Sequence, residues 1–164
     1  MKKMIFMLAM VLPILASAQQ KIAHVSSQEI MTLMPETKSM QNSLDSLMNA
    51  RELEYAKMQE ELNKKVVEFQ QKQAELSPTM REYHQQDIVR MEQAIQMSAQ
   101  TFQKEIQEKQ MQLLQPIQAK LLKAIEDVAK AKGCTYVMDK SGLLYAGADA
   151  LDLTADVKAQ LGIK

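Results

Sequence analysis

Few residues in this chain are of a type to carry out chemistry. It has two histidines, His24 and His84, and one cysteine, Cys134. A zinc site needs three or four such ligands at close spacing, and no Cys stands near either His in sequence. A nucleophile–base pair would have to use His24 or His84. His84 falls on the apolar stripe of a helix, so it reads as a packing or tip residue rather than a base. Cys134 could be a reactive thiol or half of an intermolecular disulfide, but its setting reads first as a small, buried strand residue. Glycine occurs only at 133, 142, 147 and 162, which leaves no Gly-rich phosphate loop. Glu60 with Lys64, and Glu61 with Lys65, stand at i,i+4. They read as solvated helix pairs worth about 0.3 kcal/mol each, not as a carboxylate site. No residue constellation supports an enzyme, a cofactor or a metal, so the function must lie in surfaces.

The elements that present those surfaces are long helices. Leu33, Leu44, Tyr55 and Val66 recur every eleven residues, as do Leu47, Met58 and Phe69. Further on, so do Met80, Met91, Phe102, Leu113 and Ala124, and likewise His84, Ile95, Ile106, Ile117 and Val128. Eleven residues make almost three α-helical turns, so the apolar stripe stays on one face. The positions between are mostly Gln, Glu and Lys, good helix formers that need no burial. No Gly or Pro occurs from Glu36 to Leu76. Ser77 is a good N-cap and Pro78 suits a first helical position, which predicts a tight turn there and a second helix running back to Lys132. A short link between long helices makes an antiparallel hairpin, with arms of roughly 60–80 Å at about 1.5 Å per residue. Leu76 and Met80 are placed to close its tip. Pro116 is expected to interrupt and kink the returning helix.

Around the hairpin the sequence changes character. Residues 1–18 have a basic start at Lys2 and Lys3, an apolar run from Met4 to Leu15, and Ala16-Ser17-Ala18, which together read as a cleavable secretory signal peptide. Without Lys2 and Lys3, the 20 basic residues fall to 18 against 20 acidic ones. A near-neutral chain of this kind is a poor partner for nucleic acid, which needs concentrated Lys and Arg. Gln20–Ser26 is expected to be a short strand with Ile22 and Val25 as its apolar residues. Ser26 or Ser27 would cap a brief helix from Gln28 to Met34, ended by Pro35. Gly133 should close the base helix after Lys130 and Lys132. Cys134–Met138, including Tyr136, Val137 and Met138, reads as a strand. Asp139–Gly142 reads as a turn, and Leu143, Leu144, Tyr145 and Ala146 as a second strand forming a β-hairpin. Thr154 or Asp152 would cap a last helix ending at Gly162. The fold class is α+β, mainly α, with boundaries at 1–18 (signal peptide), 19–35 with 117–164 (discontinuous head), and 36–116 (hairpin, tip at 76–80). Three short strands do not make a stable sheet alone, so other copies of the chain must complete the head. Its oligomerisation residues are then Ile22, Val25, Tyr136, Val137, Met138, Leu143, Leu144 and Tyr145.

One family resemblance follows from these residues. Lys21-Ile22-Ala23-His24-Val25-Ser26, a long Gln/Glu/Lys helix, Leu76-Ser77-Pro78, a returning helix, Tyr136-Val137-Met138-Asp139, Leu144-Tyr145 and Asp152-Leu153-Thr154 come in an order that resembles the Skp/OmpH family of periplasmic chaperones. The resemblance covers essentially the whole chain after residue 18. It implies a homotrimer with a small β-barrel body and three helical-hairpin tentacles enclosing a cavity. It implies an ATP-independent periplasmic holdase for unfolded outer-membrane β-barrel proteins. The best-known members are strongly basic and this chain is not, which weighs against carrying over membrane contact by cationic tentacle tips. Here Lys72, Arg81, His84 and Arg90 are interspersed with Glu75, Glu82 and Asp87.

Under that reading the apolar residues of the arms divide into two sets. Tyr55, Met58, Leu62, Val66, Phe69, Met91, Ile95, Phe102 and Ile106 lie on the stripe and are expected to zip the hairpin, since a two-helix arm has no other core. Met48, Val67, Met97, Met111 and Leu114 lie off it and are candidates for client contact. Ten of the 14 methionines remain once Met1, Met4, Met7 and Met10 leave with the signal peptide. Methionine is flexible and polarizable, and so suits a surface that meets many partners. The rival reading is a structural coiled-coil spacer of the cell envelope, which would need no client.

Overall fold

A computed structural model describes residues 20–163, and the expected signal peptide at 1–18 lies outside the described residues. The elements are β1 (Ile22–Val25), α1 (Ser27–Leu33), α2 (Pro35–Lys72), α3 (Pro78–Ala131), β2 (Tyr136–Asp139), a 3₁₀ turn (Lys140–Gly142), β3 (Leu151–Asp152) and α4 (Thr154–Gln160). The chain divides into two compact units, residues 20–34 with 118–163, and Pro35–Ile117.

The second unit is the helical hairpin. α2 and α3 are 38 and 54 residues long. Pro35 and Pro78 each open a helix at the position where a missing N–H costs nothing. Ser77 caps α3, its Oγ accepting from the Met80 amide at 3.3 Å. The antiparallel pairing is marked by three cross-helix contacts that approach the turn together. Arg51 forks onto Glu105 at 3.0 Å through both Nε and Nη2, Lys65 pairs with Asp87, and Phe69 stacks on His84 with centroids 5.9 Å apart. The turn is wider than the sequence implied. α2 stops at Lys72, and residues 73–77 make the connection. Met80 is exposed and does not close the tip, while Leu76 is half-buried. Pro116 does not interrupt α3, which continues through it. Gln112, whose carbonyl Pro116 deprives of a helical donor, lies on the exposed side where water can serve it.

The first unit holds the sheet. Its order is β2-β1-β3, and both pairings are parallel. β1 is central, with Ala23, His24 and Val25 buried. The core adds Ile30 and Met34, Leu153 and Val157, and Leu121, Ala124 and Val128 from the C-terminal turns of α3. Both glycine stops form by the same geometry. Gly133 has φ +69°, with Gly133 N–H donating to Lys130 C=O and Cys134 N–H to Ala129 C=O. Gly162 has φ +71°, and Gly162 and Ile163 donate to Ala159 and Lys158 in the same pattern.

Two expectations about this unit are overturned. Leu143–Ala146 is not a strand, and β2 has no hairpin partner; the third strand is Leu151–Asp152 on the far side of β1. A two-residue hairpin turn needs positive φ, and among the described residues only Gly133 and Gly162 have it. The Asp139 carboxylate instead takes the Ser141 amide at 2.8 Å, closes the 3₁₀ turn and directs the chain out of the sheet. Leu144 and Tyr145 are consequently exposed. Cys134 precedes β2 and is half-buried, so it is not a buried strand residue.

The start of α1 is also built differently. Neither Ser26 nor Ser27 caps it with a side chain. The donors come to caps from elsewhere: Ser26 N–H donates to Thr154 Oγ1 at 2.9 Å and Ser27 N–H to Asp139 Oδ2 at 3.2 Å. Strand ends and helix start are thus tied by side chains more than 110 positions away in sequence. α4 also differs from the expected cap: Leu153 stands at the N-cap without a side-chain bond and Thr154 is the first helical residue, while Asp152 Oδ1, one residue further back, accepts from the Thr154 amide at 2.8 Å.

Candidate functional site

Two apolar surfaces are exposed, one on each unit. The first belongs to the sheet. In a parallel sheet, residues in register point to the same side. β1 pairs Ile22 with Tyr136 and His24 with Met138, so these four share one face. Ile22, Tyr136 and Met138 are 55%, 56% and 47% exposed around His24, which is itself buried, whereas Ala23 and Val25, on the opposite face, are buried. Parallel sheets are ordinarily covered on both faces, so this is an unusual amount of bare apolar strand. Of the expected head residues, the face brings Ile22, Tyr136 and Met138 together. Val25 lies in the core, Val137 is half-buried on the inner side, and Leu143 to Tyr145 lie beyond the strand.

A polar cluster braces this sheet. His24, 7% exposed, lies 3.3 Å from Asp152 through Nε2. Partial burial pushes the Asp152 carboxyl upward, but bonds from Thr154 and the nearby His24 outweigh that and hold it below the ordinary range. The Asp139 carboxyl is lowered to about 2 by hydrogen bonds from Ser141 and then Ser27. Lys21 Nζ donates to the Lys132 carbonyl at 2.8 Å, capping the end of α3, and Lys132 in turn pairs with Asp156 at 2.8 Å. These groups are all matched to one another, and each does structural work. Among the described residues no three His, Cys, Asp or Glu side chains gather as a metal site.

The second surface runs along the hairpin. The stripe residues are the more covered ones: Ile95 is 5% exposed, and Met58, Leu62, Val66, Phe69, Met91, Phe102 and Ile106 are half-buried. Tyr55 departs from the expectation, being exposed with its hydroxyl bonded to Gln59 Nε2 at 3.2 Å. Off the stripe, Met97 and Met111 are 67% and 65% exposed, and Met48 and Val67 are also open. Leu114 is half-buried, so it is less available than the other four. Leu53, Tyr83 and Val89 are exposed apolar residues that sequence reasoning did not select. Their distance from the eleven-residue stripe would have found them.

Near the turn, a cleft of about 400 Å³ is lined by residues including Lys65, Phe69, Lys72, Tyr83, His84 and Asp87. His84 is flanked by Phe69 and, edge-on at 5.6 Å, by Tyr83, which fits the packing role expected of it. The two ammonium groups are already matched, Lys65 by Asp87 and Lys72 by Glu68 at 2.6 Å. Hydrogen bonds from these partners raise both lysines and lower both carboxylates, yet such exposed pairs add little to stability. Among the described residues no helix is long and apolar enough to cross a membrane.

Comparison with known proteins agrees with this architecture. The family of outer membrane proteins described as OmpH-like matches residues 21–161. The chaperone protein Skp of Yersinia enterocolitica is 26% identical over 164 residues, covering 98% of this chain and 99% of that one. The chaperone protein Skp of Pectobacterium atrosepticum is 26% identical over 156 residues, 94% of each. A crystal structure of an OmpH-like protein from Caulobacter crescentus superposes with a TM-score of 0.78 at 19% identity, over 88% of this chain and 85% of that one. With its family match spanning all three strands and the whole hairpin, the chain belongs to the OmpH-like family.

Proposed function

We propose that the protein is an ATP-independent periplasmic holdase that keeps unfolded outer-membrane β-barrel proteins from aggregating. The observation that carries the reading is the second apolar surface: Met48, Val67, Met97 and Met111 are exposed on helices whose packing stripe is filled by other residues. Support comes from the two relatives named as Skp chaperones, matched over nearly their full length. An unfolded barrel protein exposes alternating apolar strands and unpaired edges, which aggregate when two copies meet. Flexible methionine side chains on the arms offer many weak contacts that adapt to such a chain. Several arms engaging one client convert weak contacts into avidity, while each contact still releases quickly.

The same reading makes the open sheet an assembly surface. Ile22, Tyr136 and Met138 would be covered by other copies in a homotrimer, and the hairpins of the three copies would enclose the client. The segment 1–18 would direct export and be removed. The charges at the turn are mixed, and Lys65, Lys72 and Arg90 each have an acidic partner, which gives no reason to add a lipid surface. The alternative, a structural spacer of the cell envelope, is favoured only by the length of α2 and α3.

The test is dilution of a urea-unfolded outer-membrane barrel protein into nucleotide-free buffer with and without the mature protein, followed by light scattering and native mass. Suppressed scattering with three chains per client is the expected result. Unchanged scattering beside an intact assembly that ignores the client contradicts the holdase and leaves the spacer.

A further inference from the structure

The ten methionines beyond the first eighteen residues do not share one environment. Met34 is buried, Met58 and Met91 sit half-buried in the hairpin stripe, and Met97 and Met111 are the most exposed of all. These two are fourteen residues apart on α3. That is close to four turns, so they lie about 40° apart around the helix and about 21 Å apart along it. Met97 borders a shallow groove beside Ala94, Ser98, Thr101 and the Arg51–Glu105 fork. Both side chains stand more open than Ile95, which is buried, and Phe102 and Ile106, which are half-buried.

We propose that Met97 and Met111 form a reversible oxidation site through which peroxide lowers the arm's grip on its client. The inference rests on the holdase reading. The thioether sulfur attacks one oxygen of hydrogen peroxide. The O–O bond breaks, an S–O bond forms, and a proton transfer releases water. Sulfur is oxidised by two electrons and the peroxide is reduced to water. The product is a polar, chiral sulfoxide in place of a flexible apolar side chain. On a buried methionine that change would disrupt the fold. At Met97 and Met111 it leaves the hairpin intact and changes only the surface a client meets. Methionine sulfoxide reductases, one for each epimer, restore the thioether.

The experiment treats the mature protein with graded hydrogen peroxide, maps sulfoxides by peptide mass, and repeats the aggregation assay with native mass and circular dichroism. Sulfoxide should form first at Met97 and Met111. The amount of protein needed to suppress scattering should rise severalfold, with helicity and assembly mass unchanged, and both reductases together should reverse the effect. M97L/M111L and M80L/M138L are each compared with themselves before and after peroxide, whatever their starting level. The expected pattern is that M97L/M111L no longer responds and M80L/M138L responds as the parent does. Undiminished holding by protein oxidised at both positions overturns the inference. So does protection by M80L/M138L alone, or a loss that tracks falling helicity. Failure of the untreated protein to suppress scattering is seen before any peroxide is added, and it overturns the holdase reading together with this inference.

Discussion

Asp139 shows how much one side chain can organise. Its carboxylate receives the Ser141 amide and hydroxyl and the Ser27 amide, joining the end of β2, the 3₁₀ turn and the start of α1. Those bonds favour the ionised form and hold its pKa at about 2, below the ordinary 3.8. The folded chain therefore protonates less readily than the unfolded one. This contribution is complete above about pH 4 and is lost as pH falls through about 2. Asp139→Ala should lower the urea midpoint at pH 7 and flatten its decline between pH 4 and 2, read by circular dichroism. A parallel decline in the variant would contradict the assignment. Gly133 gives a second residue-scale prediction. Its φ is +69°, and an added Cβ would meet nothing within 4 Å. Gly133→Ala should cost about 1 kcal/mol through backbone strain alone. The Gly133 stop was legible because a helix C-terminus with Lys before Gly is a local signal. The role of Asp139 was not, because its partner Ser27 is 112 positions away.

At the scale of the element, the hairpin could be read from the sequence because periodicity, Ser77 and Pro78 all point to the same answer. Its inner contacts are thin, which makes single residues matter. Ile95, almost fully buried, should cost about 3 kcal/mol of local stability as Ile95→Ala, seen as faster hydrogen exchange in neighbouring turns of α2 and α3. Arg51 reaches Glu105 across the pair with a two-pronged contact that raises its pKa further, Glu105 contributing more than Glu54. Arg51→Ala should lower the thermal midpoint, and high salt should shrink the difference because the pair is partly exposed. The sheet was harder to read. β3 is two residues long and pairs in parallel with a strand 128 positions earlier, so it leaves neither alternation nor a turn signature. Leu143–Ala146 has strand-like composition but lacks the positive-φ turn that would fold it back on β2. The interruption expected at Pro116 does not occur, and α3 continues through it. Its local penalty is real, but an exposed position lets water take the orphaned carbonyl.

At the scale of the whole molecule, an unusual sheet and an unusual pair of helices both leave apolar surface bare. The proposed assembly covers the first. Tyr136→Glu, or Ile22→Glu, should reduce the sedimentation mass to that of a single chain while most helicity remains. An unchanged mass would remove the sheet face from the interface. The second surface bears the central claim, that the exposed side of the arms, and not their packing stripe, meets the client. Site-specific photo-crosslinking tests it most directly, with the crosslinker placed singly at Met48, Met97, Met111 and Ile95. Client adducts are expected from the three methionine positions and few from Ile95, when an unfolded barrel protein is present and held. Adducts that favour Ile95, or none from any of the four while the client is held in solution, would contradict it.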